Sequence, residues 1–350
     1  MPRTNDENEH ANDEIDFVVL WVDGNDPAWR AKKARFEPPE DPTSQINGEQ
    51  RFRDWGLMKY WFRGVEKFAP WVRKVHFVSD DQYPDWLDRN APKLACVPHR
   101  CFIPEQRLPL FNSCAIEMHL HRIPGLAEHF VEFNDDMFLG RPICPKDLFP
   151  NGKPISCVRL SALGTIYPRQ VYAHRLMNEA AVVNAHHDWR KTVFRNPRLF
   201  LSVRLNGFSS VLANAMVSCL LACPSIKDVH LPYCLSKSSL LDAWNAEPAV
   251  LGETAAHRFR NLADVSARVF RDWQIASCSF SPRRSDAIGQ RYYATPNGVE
   301  RLCNAITSKK HIFVCANDEE ALSSNDYEMV RRKITAAFET ILPEKSSFEI

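Results

Sequence analysis

Residues 130–139, Phe-Val-Glu-Phe-Asn-Asp-Asp-Met-Phe-Leu, put an amide and two adjacent carboxylates in the middle of an otherwise apolar run of strand character. Each such group costs on the order of 2–7 kcal/mol to bury without a partner, so the fold has to supply one. A hard divalent cation takes oxygen ligands and commonly carries phosphate with it, which makes Asn134, Asp135 and Asp136 a candidate metal and phosphate site. The same residue types also build a tight turn between two hydrophobic strands, and the stretch alone leaves both readings open.

Other apolar runs end the same way. Ile15 to Val22 is nearly continuous and gives way to Asp23-Gly24-Asn25-Asp26-Pro27, the pattern of a buried parallel strand feeding a loop. Val75–Val78 is closed by Ser79-Asp80-Asp81-Gln82, and His311–Cys315 runs into Asn317-Asp318, while Leu94–Val97 is a further strand. Between Arg51 and Phe68, Leu57, Trp61, Val65 and Phe68 recur at helical spacing, and Pro84 opens a brief helical segment with Trp86 and Leu87. This alternation predicts an α/β fold: a Rossmann-like, largely parallel sheet flanked by helices, with a mostly helical region on the substrate side. In such sheets ligands lie beyond the carboxyl ends of the strands, so Asp23, Asp80, Asp135, Asp136 and Asp318 are expected to meet on one rim.

The remaining chain supplies cations. Arg258 and Arg260 flank Phe259 on a helix predicted between Ala255 and Trp273, and arginine forks bind phosphate oxygens two at a time. His230 and Lys237 bring an imidazole and an ammonium near one another in sequence, although a lone histidine is more often structural. Asn112 and Ser113 stand at a helix start, where they either cap it or leave backbone N–H groups free for an anion. Ser209–Cys223 reads as a small-residue apolar helix, and Val330, Ile334, Phe338 and Ile341 as one face of a closing helix. The expected organisation is a disordered tail at 1–14 and a single domain at 15–350. Within it, about 15–150 forms a nucleotide and metal half, about 155–275 an acceptor-side helical region, and about 310–342 the closing strand and helix.

Composition narrows the partners. Lys+Arg 44 against Asp+Glu 43 gives a net charge of +1, without the basic stripe that nucleic acid requires. No apolar run approaches the roughly 18 residues of a membrane span, and the polar Met1–Asn12 segment is unlike a signal peptide, so a cytoplasmic location is expected. Eleven cysteines, an odd number with no Cys-x-x-Cys pair, fit buried free thiols in a reducing compartment. No helix shows a clear basic face that would drive membrane contact.

Taken in order, these stretches resemble the Stealth phosphotransferases of bacterial capsules and of lysosomal glycoprotein modification. The resemblance rests on Ile15-Asp-Phe-Val-Val-Leu-Trp-Val-Asp-Gly24, on Arg51-Phe52 through Ala69-Pro70-Trp71 and Val78-Ser79-Asp80, on Leu108-Pro109-Leu110-Phe111-Asn112-Ser113, and on Phe133-Asn134-Asp135-Asp136. It continues through His230-Leu-Pro-Tyr233 with Lys237, Arg258-Phe-Arg260 and Val314-Cys-Ala-Asn317-Asp318. It implies transfer of a sugar-1-phosphate from a UDP-sugar to a hydroxyl of an acceptor polysaccharide or oligosaccharide, with UMP released and Mg²⁺ or Mn²⁺ as cofactor. By position it implies Asp23, Asp135, Asp136, His230 and Arg260 as catalytic residues. Trp21, Gly24, Asp80, Asn112, Asn134, Lys237 and Arg258 fall to substrate binding, and Asp135, Asp136 and Asp318 to the metal. Peripheral association with capsule machinery at the inner membrane also follows from the resemblance. Acids at strand ends equally suit a metal-dependent glycosyltransferase that releases UDP, and a non-catalytic glycan- or nucleotide-binding module stands as the reading from another class.

Overall fold

The computed structural model describes residues 14–37, 48–163, 170–220, 224–318 and 322–350. The expected tail, apart from Glu14, and most of the proline-rich loop before Arg51 lie outside the described residues, as does the predicted end of the apolar helix at 221–223. The strands that carry the argument are β1 (Ile15–Leu20), β2 (Lys74–Ser79), β3 (Leu94–Pro98), β4 (His129–Phe133), β5 (Met137–Leu139), β6 (Tyr233–Ser236), β7 (Gly289–Tyr293) and β8 (Phe313–Asn317). Beside several other short ones, the helices that carry it are α1 (Pro27–Ala34), α2 (Met58–Phe68), α3 (Ser113–Glu117), α4 (Val171–His186), α5 (Phe208–Leu220), α6 (Lys237–Ala246), α7 (Arg268–Ala276), α8 (Val299–Thr307) and α9 (Ser324–Ile341).

The central sheet has the order β3-β2-β1-β4-β6. β1 pairs in parallel with β2 on one side and β4 on the other, with Val18 opposite both His76 and Glu132. The order reverses at β1, so the crevice between the carboxyl ends of β1 and β4 is the switch point where a ligand is expected. Only β6, opposite β4 with His129 paired to Ser236, runs antiparallel. A second sheet, β7-β8-β5, joins β8 antiparallel to β5 with Cys315 opposite Met137. β4 and β5 belong to different sheets and are separated by three residues, Asn134, Asp135 and Asp136. The chain therefore steps from one sheet to the other on the turn that carries the carboxylates.

Both faces of β1 are buried, which is why its sequence is nearly all apolar. Phe17 and Val19 pack with Trp61 and Val65 of α2 and Val330 of α9, while Val18 and Leu20 pack with Val182 of α4, Leu240 of α6 and Phe270 of α7. Each such side chain removed from water stabilises the fold by about 1.5–3 kcal/mol. Among the described residues no helix is long and apolar enough to cross a membrane.

One polar residue breaks the apolar run of β1. Asp16, fully buried, accepts from Arg73 Nε (2.9 Å) and from Ala127 N (2.9 Å), and its Oδ2 lies 2.9 Å from His76 Nε2. Burial pushes this carboxyl up, but the bonds from His76, Arg73 and Ala127 outweigh it and hold its pKa below the ordinary value. A depressed carboxylate stabilises the fold above its unfolded pKa and loses that contribution as pH falls through the folded one. Asp16→Asn is therefore expected to cost about 2–3 kcal/mol at pH 7 in denaturant melts. The gap to wild type should close as pH drops below the ordinary carboxylate value of 3.8; a gap constant with pH would refute the assignment.

Three predicted helices are corrected. The periodicity between Ala255 and Trp273 produces a helix only from Arg268, because buried Asp264 organises the preceding residues as a loop. It accepts from Asn112 Nδ2 (2.8 Å) and Asn261 N (2.8 Å) and sits 2.7 Å from His257 Nδ1. The segment at Pro84 is a turn instead of a helix, and Leu87 forms a bridge with Glu349 near the end of the chain. The helix expected from Arg51 begins at Met58, after Gly56 takes a φ of 67° that a helix interior does not allow. This frees Arg51 to Trp55 to run toward the sheet rim.

Candidate active site

A cleft of about 240 Å³ opens over the carboxyl ends of β1, β2 and β4. Of the residues expected there, Trp21, Asp80, Asn134, Asp135 and Asp136 line it, and so do His230, Arg260 and Asp318 from later in the chain. The Asn134–Asp136 stretch is a turn between two strands, and the same three residues line the cleft. Asn134 O accepts from Met137 N (3.2 Å), and Asp136 O accepts from Ala316 N (2.8 Å), so backbone bonds fix the carboxylates between the two sheets.

The side-chain oxygens are only partly used. Asp136 Oδ2 lies 3.4 Å from His230 Nε2 and accepts from Cys315 Sγ (3.3 Å), whereas Asp136 Oδ1 is buried with no protein partner. Asp318 repeats the pattern: Oδ2 accepts from Arg53 Nη1 (3.0 Å) and Trp55 Nε1 (3.1 Å), and Oδ1 is buried without a partner. Burial pushes Asp135 well above the ordinary carboxylate range, and Asp136, Asp54 and Asp318 raise it further. Burial also raises Asp54 and Asp318. Asp136 goes the other way, because its bond to His230 outweighs its own desolvation. Orphaned oxygens in a cluster of mutually repelling carboxylates fit a hard divalent cation. The Cys315 thiol is pushed well above its ordinary value by burial and by Asp136, so it acts as a donor to Asp136 and not as a thiolate ligand.

His230 is held from behind. Its φ is 49°, in the left-handed region, and its N–H donates to Asp228 Oδ1 (3.1 Å). Asp228 Oδ1 also accepts from Tyr233 OH (3.3 Å) and Arg271 Nη1 (3.3 Å). Burial favours the neutral imidazole, but Asp136 and Asp228 prevail and raise its pKa above the ordinary value. A left-handed conformation costs a non-glycine residue on the order of 1–3 kcal/mol, which the bonds to Asp228 offset.

Cationic groups face the carboxylates. Arg260 donates to Ser113 Oγ (3.0 Å) at the start of α3. Arg175 of α4 also lines the cleft, with its Nε buried, lacking a hydrogen-bond partner and 4.0 Å from Glu179 Oε1. Glu132, fully buried on β4, is raised well above the ordinary range by burial and then by Glu117 and Asp136, so it enters the cleft as a neutral acid.

Several expected residues lie elsewhere. Lys237 begins α6 just after the β6 end that pairs with His129, and its N–H donates to Glu128 O (2.8 Å). That is the amino end of β4, one strand length of roughly 16 Å from the rim, so the antiparallel direction of β6 removes Lys237 from the site. Arg258 turns away from Arg260: it donates to Pro109 O (2.9 Å) and stacks over Phe36. Asn112 is fully buried, caps α3 through Cys114 N (3.1 Å), and donates to Asp264. Asp23 sits at the rim, close enough to Asp54 to raise that carboxyl, with its Oδ1 accepting from Asn25 N (2.8 Å). Gly24 lets the rim close, since a Cβ there would stand 2.2 Å from Phe52 O. Asp80 is paired with Lys32 of α1 (2.6 Å). The residues not anticipated are Arg53, Asp54, Arg175, Asp228 and Glu132.

The fold and cleft define an α/β protein of the Rossmann-like class with a charged ligand cleft at the switch point of its sheet. Residues 13–38 match the family model "Stealth protein CR1, conserved region 1", and residues 51–156 match "Stealth protein CR2, conserved region 2". The chain is 39% identical over 342 residues to the capsular polysaccharide phosphotransferase WcwK of Streptococcus pneumoniae, covering 96% of this chain and 99% of that protein. It is 38% identical over 340 residues to the receptor polysaccharide phosphotransferase WefC of Streptococcus gordonii, at 97% and 99% coverage. It is 37% identical over 340 residues to the exopolysaccharide phosphotransferase cps2G of Lactiplantibacillus plantarum, at 96% of both chains. The chain belongs to the Stealth family.

Proposed function

We propose that this protein is a polysaccharide phosphotransferase that moves a sugar-1-phosphate from a UDP-sugar to a hydroxyl of an acceptor glycan. The observation that carries the reading is the gathering of Asp135, Asp136, Asp318 and His230 with Arg175 and Arg260 in one cleft at the switch point. The names of the relatives support phosphotransfer in polysaccharide synthesis. In this reaction the acceptor oxygen attacks the phosphorus that carries the sugar. The bond from that phosphorus to the oxygen bridging to the nucleotide breaks, UMP leaves, and the hydroxyl proton passes to a base.

The chain's own groups divide that work. Asp135, Asp136 and Asp318 would hold Mg²⁺ or Mn²⁺, which supplies charge for the diphosphate and the leaving phosphate. Arg260 and Arg175 stabilise equatorial phosphate oxygens by forked hydrogen bonds. Asp136, and after it Asp228, raises the His230 pKa, and in its neutral form the imidazole would accept the hydroxyl proton. Neutral Glu132 donates a hydrogen bond to a sugar or acceptor oxygen.

The test is the nucleotide by-product when the protein is given a UDP-sugar panel, Mg²⁺ or Mn²⁺, and short glycan acceptors. UMP is expected. UDP would mean attack on the sugar carbon, as in a glycosyltransferase, and no turnover across the panel would overturn the enzyme reading with this donor.

A further inference from the structure

α5 is reversed relative to a helix that packs on its own protein. Its polar residues face inward: Asn214 is fully buried, accepts from Leu160 N (2.8 Å) and donates to Phe200 O (2.9 Å), and Ser218 is buried with it. Its large apolar side chains face outward, with Phe208 71% exposed, Leu212 50%, Met216 50% and Leu220 72%. Four-residue spacing sets them in one ridge along the helix. Phe194, Val203 and Leu205, just before α5 in the chain, are exposed as well. Single apolar residues on a surface are ordinary, whereas a ridge of this kind marks an interaction site.

The charge of the same segment says what covers it. Between 189 and 220 the chain holds Arg190, Lys191, Arg195, Arg198 and Arg204, all exposed, and no aspartate or glutamate, within a protein of net charge +1. Exposed Arg159 joins them through a bond to Ser209 Oγ (3.1 Å). At the edge, Asp188 caps the helix Trp189–Arg195 and pairs with Lys191 (3.1 Å). A symmetric contact with a second copy would bring this acid-free surface against itself and set like charges together. An anionic lipid surface satisfies both halves, taking the apolar ridge at the acyl boundary and the arginines at the head groups. We propose that residues 189–220 form a docking surface by which the protein lies on an anionic bilayer without crossing it. The basic residues did not read as a helix face because they are spread over three short helices, Trp189–Arg195, Pro197–Phe200 and Val203–Asn206, and the turns between them. α4, which presents Arg175 to the cleft, ends at His186 immediately before this surface, so docking would hold the cleft close to the membrane.

Vesicle flotation with the full chain tests this, using phosphatidylcholine alone and phosphatidylcholine mixed with phosphatidylglycerol. Binding is expected only to the mixed vesicles and should weaken as salt is raised. Phe208→Ser with Leu212→Ser, and separately Arg198→Glu with Arg204→Glu, should each lower partitioning by about tenfold or more. Circular dichroism and turnover on soluble substrates should stay at wild-type values, because neither pair touches the cleft. Wild-type protein that stays unbound from mixed vesicles at low salt, or variants that bind as well as wild type, would overturn the proposal. A wild-type dimer that Phe208→Ser with Leu212→Ser converts to monomer would also overturn it, by showing that a second copy covers the ridge.

Discussion

Asp136→Asn is expected to lower turnover by about a thousandfold while the protein stays folded, a loss of roughly 4 kcal/mol in transition-state stabilisation. The substitution keeps the shape of the side chain, and the bond from Ala316 N to Asp136 O belongs to the backbone and survives. What is lost is the charge, which burial disfavours and which His230 alone strongly supports. Because the Asp136 pKa is held below the ordinary value, that charge also supports the metal-free fold, so the thermal midpoint should fall modestly while activity per folded molecule falls about a thousandfold. A residue kept for structure alone would lower the midpoint and leave activity per folded molecule intact. Two further readouts separate the roles. Mn²⁺ should raise the midpoint of wild type and leave the variant nearly unmoved, since a ligand stabilises only the state that binds it. The His230 imidazole, followed by its ring-proton resonance, should titrate lower in the variant, because the carboxylate that raises its pKa is gone. Wild-type rates in a folded Asp136→Asn protein would remove the carboxylate cluster from the mechanism.

What the sequence made legible follows from how each signal is encoded. β1, β2, β4 and β8 are buried on both faces, so their apolar runs and the acids that end them stand out without a partner strand in view. Asp135 and Asp136 were readable for that reason, since a parallel sheet brings strand ends together by construction, whereas Asp318 ends a strand of the second sheet and reaches the rim through the antiparallel pairing of β8 with β5. Lys237 misled because nothing in Tyr233–Ser236 says whether the strand runs parallel or antiparallel; the pairing of Ser236 with His129 decides it. Arg258 and Arg260 stand two residues apart on an irregular loop, where spacing in sequence does not fix the direction of a side chain, and only Arg260 reaches the cleft. Arg175 sits in a helix whose apolar periodicity is weak, and its surroundings in the cleft include Cys114 and Glu117, far away in sequence. Asp228 left one trace: it stands two residues before His230, the spacing at which an aspartate accepts from a following backbone N–H.

The second large effect is on stability. α7 buries all nine of its residues, among them Arg268, Arg271 and Asp272. Arg268 Nη1 donates to Glu179 Oε2 (2.6 Å) and Nη2 to Ile226 O (2.7 Å), while Glu179 Oε1 accepts from Ser266 Oγ (2.6 Å). Arg271 donates to Asp272 Oδ1 (2.6 Å) and to Asp228 Oδ1, which fixes the backbone of His230. Arg268→Ala leaves the Glu179 carboxyl buried without its hydrogen-bonded cation and with only Arg175, 4.0 Å away, so a loss of about 3–5 kcal/mol is expected in urea melts. The pair itself is not a large source of stability: burial pushes Glu179 above the ordinary carboxylate value, and the attraction of Arg268 does not fully reverse it. Glu179→Leu with Arg268→Met should therefore recover most of what Arg268→Ala loses, giving a coupling of several kcal/mol in a double-mutant cycle. Turnover should stay below wild type in that double variant, since α7 would no longer be fixed to Ile226 and Asp228 would lose part of its support beneath His230. Additive losses in the cycle would show that Arg268 and Glu179 act on the fold independently.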